Sequence, residues 1–522
     1  MHGIQTVSSR RGVSGHSHNP FAALAQREAT EESGEVFGFN LVYSGNFSIH
    51  TEVDGENCAR LVMGIQEEGF GWELRPGDCF DAPEAVMVYS DSGLGGMSRT
   101  FHRLYNRHLI TPRWQMEKRP LLINSWEAAY FDFDEEKLYD FAVRAKEMGI
   151  EMLVMDDGWF GRRNDDRTSL GDWYVNEDKL HGGLKKLVDR VHALGMKFGI
   201  WFEPEMISPD SDLYRAHPDW CIHVPNRAQS ISRWQYLLDI SRKEVRDHVW
   251  AQMDKILSEN PIDYVKWDFN RNFTEAGSAA LDAQHQPELN HRFTLGTYDL
   301  QNRLVTNYPD ILLENCSGGG GRFDPAMLYY APQIWCSDNT DPIERLTIQF
   351  GTSLCYPAGT MGAHVSASRR TGVQTKGNIA LWGTHGYELD PNRYTPEEKE
   401  IVKKQVADYH KYYDLIHQGE LYRLVTPTDN PYWCAWEIVA ADGSEALVTI
   451  VNMRQQPRNG RFLRLRGLHP KTKYRCEAPG SMYDGKVQYG DSWMYAGLNL
   501  FPAQKTDGSS EQYYFSAVDE EQ

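Results

Sequence analysis

Three short segments carry side chains able to do chemistry: Met155-Asp156-Asp157-Gly158-Trp159, Lys266-Trp267-Asp268-Phe269-Asn270 and Cys336-Ser337-Asp338-Asn339-Thr340-Asp341. Each closes an apolar run that reads as a buried parallel strand, and each delivers a carboxylate where that strand should stop. Side chains alternate along an extended chain, so Lys266, Asp268 and Asn270 share a face while Trp267 turns away. A lysine two residues from an aspartate favours the ionised carboxylate, the form a nucleophile needs; a structural Lys–Asp pair is the alternative. An Asp338 or Asp341 placed beside ionised Asp268 would have its pKa raised by repulsion and partial burial, and would be held protonated as a general acid. Spacing does not choose between these two, and either would also serve as a helix N-cap.

Asp156 and Asp157 are adjacent, and Gly158 lets the chain turn so that both can face one pocket. Paired carboxylates accept hydrogen bonds from vicinal hydroxyls, and the aromatic faces of Trp126, Trp159, Trp201 and Trp335 would cover the apolar side of a sugar ring. Together they suggest a sugar pocket run by paired acids. Metal binding competes, but no His or further acid sits at ligand spacing nearby. Glu203 and Glu205, in Trp201-Phe202-Glu203-Pro204-Glu205, are rival acids for which a structural role is the simpler reading. Arg233 can donate to hydroxyls or pair with one of the acids. The loop Cys316-Ser317-Gly318-Gly319-Gly320-Gly321-Arg322 lacks the Lys-Ser/Thr of a phosphate-binding loop. Close approach of its backbone to a ligand is one reading and a flexible turn the other.

The elements that must position these residues alternate strand with helix from Pro120 to about Gln418, the signature of a parallel α/β architecture. Candidate strands fall at 120–125, 151–156, 197–203, 235–240, 262–268, 311–316, 333–338 and near 360–365. Eight such strands predict a barrel whose active site lies at their C-terminal ends. A helix is expected over Glu135–Met148, with Leu138, Phe141, Ala142 and Ala145 inward and Gly149 as its stop. A longer helix runs from Glu397 to Gln418. Before residue 110 the pattern is β-like at Phe37–Tyr43, Phe47–Thr51 and Ala85–Tyr89, after a polar, irregular start. Beyond residue 422, runs such as Trp433–Val439 and Ala446–Val451 predict a small antiparallel sandwich. The expected units are 1–110, 111–421 and 422–522.

The 522-residue chain is 41% apolar and 24% charged, which is a globular composition, and it contains no apolar run long enough to span a membrane. A net charge of −19 disfavours nucleic acid as a partner. Eight scattered cysteines show no zinc spacing, and the first residues carry no apolar signal region, so reduced thiols in a cytoplasm are the expectation.

Taken together, Trp126, Asp156-Asp157-Gly158-Trp159, Trp201 to Glu205, Lys266-Trp267-Asp268, Cys316-Ser317-Gly318-Gly319 and Ser337-Asp338 resemble the retaining α-galactosidases of glycoside hydrolase family 36. The resemblance covers essentially the whole chain. It implies a (β/α)8 barrel, an α/β fold flanked by a partial N-terminal β-sandwich and a C-terminal antiparallel β-sandwich, with no metal or organic cofactor. It implies Asp268 as nucleophile and Asp338 as acid/base, which selects Asp338 over Asp341. Asp156, Asp157, Arg233, Lys266, Asn270 and Cys316 match galactose-contacting positions, with Trp126, Trp201 and Gly319 lining the same pocket. The implied substrates are α-galactoside oligosaccharides of the melibiose and raffinose type. α-N-acetylgalactosaminide hydrolysis and galactosyl transfer are neighbouring specificities, and a catalytically impaired galactose-binding protein is the reading from another class. Relatives form homo-oligomers and carry a large N-terminal β-supersandwich, of which only about Val36 to Gly95 is expected here, with its first strand an uncovered edge.

Overall fold

The computed structural model describes residues 3–454, 461–500 and 506–518. Its centre is a closed barrel of eight parallel strands: β1 (Leu122–Asn124), β2 (Met152–Met155), β3 (Lys197–Phe202), β4 (Tyr264–Trp267), β5 (Leu312–Asn315), β6 (Gln333–Trp335), β7 (Met361–Ser366) and β8 (Thr384–Glu388). Neighbours in sequence are neighbours in space, and β8 closes onto β1 through Gly386 opposite Leu122. Registers such as Lys266 opposite Trp201 on β3 and Glu314 on β5 set which side chains share a layer. Leu122, Met152, Val154, Tyr264 and Leu312 pack as one apolar layer together with Ile110 and Trp114. Alternation then lifts Asp156, Trp201, Lys266 and Asp268 towards the C-terminal ends of their strands.

Seven of the eight expected strands take part in the barrel, and one does not. The 235–240 segment contributes only Tyr236–Leu237, paired antiparallel with Met206–Ile207 outside the barrel. The eighth strand is Thr384–Glu388, which the apolar pattern does not mark. Its sequence Thr-His-Gly-Tyr-Glu holds one large hydrophobe, although all five residues are buried. Gly386 is small of necessity, since a Cβ there would lie 2.5 Å from the His364 ring of β7.

The Glu135–Glu147 helix forms as its pattern requires. Asp134 caps it by accepting from Lys137 N at 2.8 Å, Leu138, Phe141, Ala142 and Ala145 are buried, and Gly149 takes φ 91° beyond its end. The long helix Pro396–Gln418 starts with a capping box between Thr395 and Glu398.

Before the barrel lie two three-stranded antiparallel sheets. Gln5–Ser9, Phe47–Val53 and Ala59–Ile65 form one, with Phe47–Val53 central; Phe21–Ala25, Val36–Val42 and Glu84–Ser90 form the other, with Val36–Val42 central. Residues 3–35 therefore contain two paired strands rather than an irregular start, and Val36–Val42 is paired on both sides instead of forming an uncovered edge. Gln5–Ser9 and Phe21–Ala25 lack apolar alternation and rely on their sheet partners. After the barrel, six antiparallel strands run in spatial order Glu420–Val425, Trp433–Val439, Glu445–Asn452, Ser509–Ala517, Lys473–Glu477 and Val487–Tyr489, beside a small pair, Phe462–Leu463 with Leu498–Asn499. Trp436 of this sheet stacks on Trp382 of the barrel, ring centroids 4.5 Å apart. Arg423 joins all three regions by donating to Glu31, Ser98 and the Ser353 carbonyl. Among the described residues the eight cysteines are unpaired, and no helix is long and apolar enough to cross a membrane.

Gly199 on β3 tests the interior packing: a Cβ there would meet Tyr264 Cδ1 at 2.7 Å and Val154 Cγ2 at 3.0 Å. Gly199→Val is expected to cost about 1–3 kcal/mol by overpacking, read as a lowered melting temperature with less soluble protein.

Candidate active site

The C-terminal strand ends surround a cavity of about 330 Å³. β2 runs into Asp156 and Asp157, β3 carries Trp201 and leads to Glu203, β4 carries Lys266 and leads to Asp268 and Asn270, and β6 leads to Asp338. Lys266 Nζ sits 2.7 Å from Asp156 Oδ2, which also accepts from Asn124 Nδ2 at 2.7 Å. Asp157 is gripped by Arg163 through two parallel bonds of 2.7 and 2.8 Å, the strong fork geometry of guanidinium and carboxylate. Asp268 accepts from Phe269 N at 2.8 Å, Trp201 Nε1 at 3.2 Å and Gly318 N at 3.2 Å. Arg233, in the left-handed region at φ 52°, reaches Asn270 Oδ1 at 3.0 Å.

The two central carboxyls are driven in opposite directions. Burial pushes the Asp268 pKa up, but the Lys266 charge and hydrogen bonds from Cys316, Asn270 and the Phe269 backbone outweigh it and hold Asp268 below the usual value. Asp338 is pushed up, first by enclosure and then by the Asp268 charge, against the pull of Lys266 and Arg233. Lys266 stays charged: burial alone would lower its pKa, yet Asp156, Cys316, Glu388 and Asp268 raise it well above the ordinary value. Glu203 is pushed up to about 8, by burial and then by Asp268, so it is mostly protonated at neutral pH. Glu388 rises to about 7, by burial against the pull of Lys266.

Nine of the eleven residues singled out from sequence line this cavity: Trp126, Asp156, Asp157, Trp201, Arg233, Lys266, Asn270, Asp268 and Asp338. Cys316 and Gly319 stand behind the wall, where Gly319 N donates to Cys316 Sγ at 3.4 Å. Trp335 lines the cavity, but Trp159 does not; it is fully buried among Phe160, Trp173 and Phe202, with its indole N–H on the Trp201 carbonyl. Asp341 is a helix N-cap, accepting from Ile343 N and Glu344 N. Glu205 is locked away from the cavity by Arg322, Trp267 and Thr297. Sequence reasoning missed Arg163, Glu127, Gln235, Thr340 and Glu388. Only Glu388 carried a usable signal, as an acid at the end of the strand that the apolar pattern hid. Among the described residues no cluster of His, Cys, Asp and Glu is arranged to hold a metal ion.

Comparison with known proteins gives three family matches in register with the fold: the glycosyl hydrolase family 36 N-terminal domain over residues 1–75, melibiase over 79–419, and the glycosyl hydrolase family 36 C-terminal domain over 433–515. The chain is 49% identical to the α-galactosidase AgaA of Geobacillus stearothermophilus, over 99% of this chain and 71% of that one. It is 47% identical to the α-galactosidase Mel36A of Lactobacillus acidophilus, over 99% and 70%. The crystal structure of an AgaA variant in complex with raffinose superposes with a TM-score of 0.96 at 48% identity, covering 99% of this chain and 72% of that one.

The charge balance predicts the effect of Lys266→Met. Without the ammonium, burial and mutual repulsion raise the pKa of both Asp268 and Asp338, so both limbs of the pH–kcat/KM profile move to higher pH. The loss of kcat/KM should be at least about 100-fold, and Asp156, left buried without its cation, should cost about 3–5 kcal/mol of stability.

Proposed function

The chain belongs to glycoside hydrolase family 36 and is an α-galactosidase, and we propose that it removes terminal α-linked galactose from oligosaccharides by double displacement, with Asp268 as nucleophile and Asp338 as acid/base. One observation carries the reading: a single sugar-sized cavity holds one carboxyl pushed down in pKa and another pushed up. Asp268 attacks the anomeric carbon, the bond to the leaving oxygen breaks, and Asp338 gives its proton to that oxygen. Asp338, now a carboxylate, takes a proton from water as the water oxygen attacks the same carbon and releases Asp268. Two inversions give net retention. The carboxyl groups should therefore stand about 5–5.5 Å apart, as in retaining enzymes.

Asp156 and Asp157, one held by Lys266 and the other by Arg163, are assigned to the galactose hydroxyls, with Trp126, Trp201, Arg233 and Asn270 around them. Oligosaccharides of the raffinose and melibiose type are the proposed substrates, supported by the raffinose and stachyose complexes of AgaA variants. Cys316 and Gly319 are assigned to the wall supporting the ring. The reaction needs only protein side chains and water. The reading extends to a cytoplasmic enzyme, supported by the unpaired thiols among its described residues, and to units at 1–110, 111–421 and 422–522.

Asp268→Asn should reduce turnover of a chromogenic α-galactoside by at least about 1,000-fold while leaving the melting temperature near wild type. Wild-type turnover in that variant would remove Asp268 from its role. Asp338→Ala should separate substrates by leaving group: p-nitrophenyl α-galactoside still forms the galactosyl-enzyme, whereas melibiose turnover falls by about 100- to 10,000-fold. Product followed by NMR should appear first as α-galactose, and an initial β-anomer would exclude double displacement.

A further inference from the structure

Outside the cavity, an N-terminal segment reaches the loop that joins the two carboxyls. This segment, residues 12–19, is built as a strap. Gly12 N donates to Asn46 Oδ1 at 2.6 Å, Ser14 Oγ donates to buried Asp324 Oδ2 at 2.8 Å, and Asn19 Nδ2 donates to the Phe323 carbonyl at 2.7 Å. At its centre Gly15 N donates to the Gly321 carbonyl at 2.7 Å, and His16 Nε2 lies 2.6 Å from the Gly318 carbonyl. A carbonyl oxygen only accepts, so Nε2 carries the proton of that bond.

The loop so held is the one whose Gly318 N–H donates to Asp268 Oδ1 at 3.2 Å. Its next residue, Gly319, at φ 88°, packs so closely on the acid/base segment that a Cβ would stand 2.7 Å from Asp338 N. Loop residues 318 and 319 thus touch both carboxyl-bearing segments, and the strap clamps them from the third side. We propose that His16 is a positioning residue of this enzyme: its hydrogen bond to the Gly318 carbonyl fixes the glycine loop against Asp268 and Asp338. The proposal rests on the assignment of Asp268 as nucleophile. No strap residue lines the galactose cavity, so the clamp acts on the chemical step and not on ground-state binding.

Two side chains of similar reach separate a hydrogen bond from bulk. Glutamine places an amide N–H where His16 presents Nε2–H, and leucine does not. His16 is exposed, so neither replacement disturbs a core. With p-nitrophenyl α-galactoside, His16→Leu should lower kcat about five- to tenfold with KM within about twofold, and His16→Gln should restore most of it.

The acidic limb of the pH profile adds a readout that a general structural role would not move. Asp268 faces Lys266, Asp157, Glu203, Cys316 and Asp338 unchanged in every variant. A loosened Gly318 N–H therefore raises the limb by a few tenths of a pH unit in the leucine variant alone. Wild-type kcat and limb in His16→Leu, or a glutamine variant as impaired as leucine, would overturn the proposal. Should leucine impair folding, His16→Ala against His16→Gln gives the same contrast. An active Asp268→Asn control would instead overturn the nucleophile assignment and leave the clamp geometry as a finding about the loop.

Discussion

The arrangement depends on one buried lysine among too many acids. Eight carboxyl side chains line the cavity (Glu127, Asp156, Asp157, Asp166, Glu203, Asp268, Asp338 and Glu388), against only Arg163, Arg233 and Lys266. Arg163 is committed to Asp157 by a two-bond fork, and Arg233 sits exposed near Asn270. Lys266 is bonded to Asp156, and its charge lowers the pKa of both Asp268 and Asp338. Without it, burial would push the Asp268 pKa up with its main opposing charge gone.

The remaining excess of acid is relieved by protonation. Glu203, held by Gln235 and by the Asn270 N–H, has a pKa near 8. Glu388 lies against His364, which burial lowers to about 3 and so keeps neutral, and its own pKa is near 7. Asp338 is pushed the same way by burial and then by the Asp268 charge. The charge on Asp268 thus adds to burial in raising the pKa of its neighbour, which draws the two carboxyls apart in the sense that the proposed nucleophile and acid roles require. As pH rises towards neutrality and above, Glu388 and then Glu203 ionise, which adds negative charge around Asp268 and raises the cost of keeping every carboxylate anionic.

Much of this was legible because catalysis and barrel geometry share a pattern. An apolar run ending in an acid marks both a parallel strand and its catalytic edge, and Val154–Asp156, Tyr264–Asp268 and Ile334–Asp338 all obey it. Thr384–Glu388 was hidden for the converse reason: its inward positions hold Gly386 and Glu388, so the site's requirements erased the apolar signal. Residues 235–240 look like a strand, but they pair outside the barrel, Tyr236–Leu237 with Met206–Ile207, and Gln235 and Leu238 through single bridges to Ser232 and Cys221. Trp159 shows the limit of motif reading, since its place beside Asp157 suggests the pocket while Gly158, at φ 112°, turns it into the core. Arg163 follows six residues after Asp157 in a loop without periodicity, so only tertiary structure shows it as that acid's partner.

The glycine loop spaces the two backbone segments that carry Asp268 and Asp338. Gly318 and Gly319 occupy the left-handed region at φ 52° and 88°, where side chains are strained. Gly319 also lies against Ser337 and Asp338 with no room for a Cβ. Backbone therefore meets backbone between the segments that follow β4 and β6, and the gap is set by peptide thickness and by the hydrogen bond of Gly318 to Asp268. Peptide geometry varies little, whereas a side chain in that gap would bring its own rotamers. The proposed double displacement needs its two carboxyls at one narrow separation, and a spacer of bare backbone, braced from outside by the N-terminal strap, limits how far the two chain segments that bear them can drift.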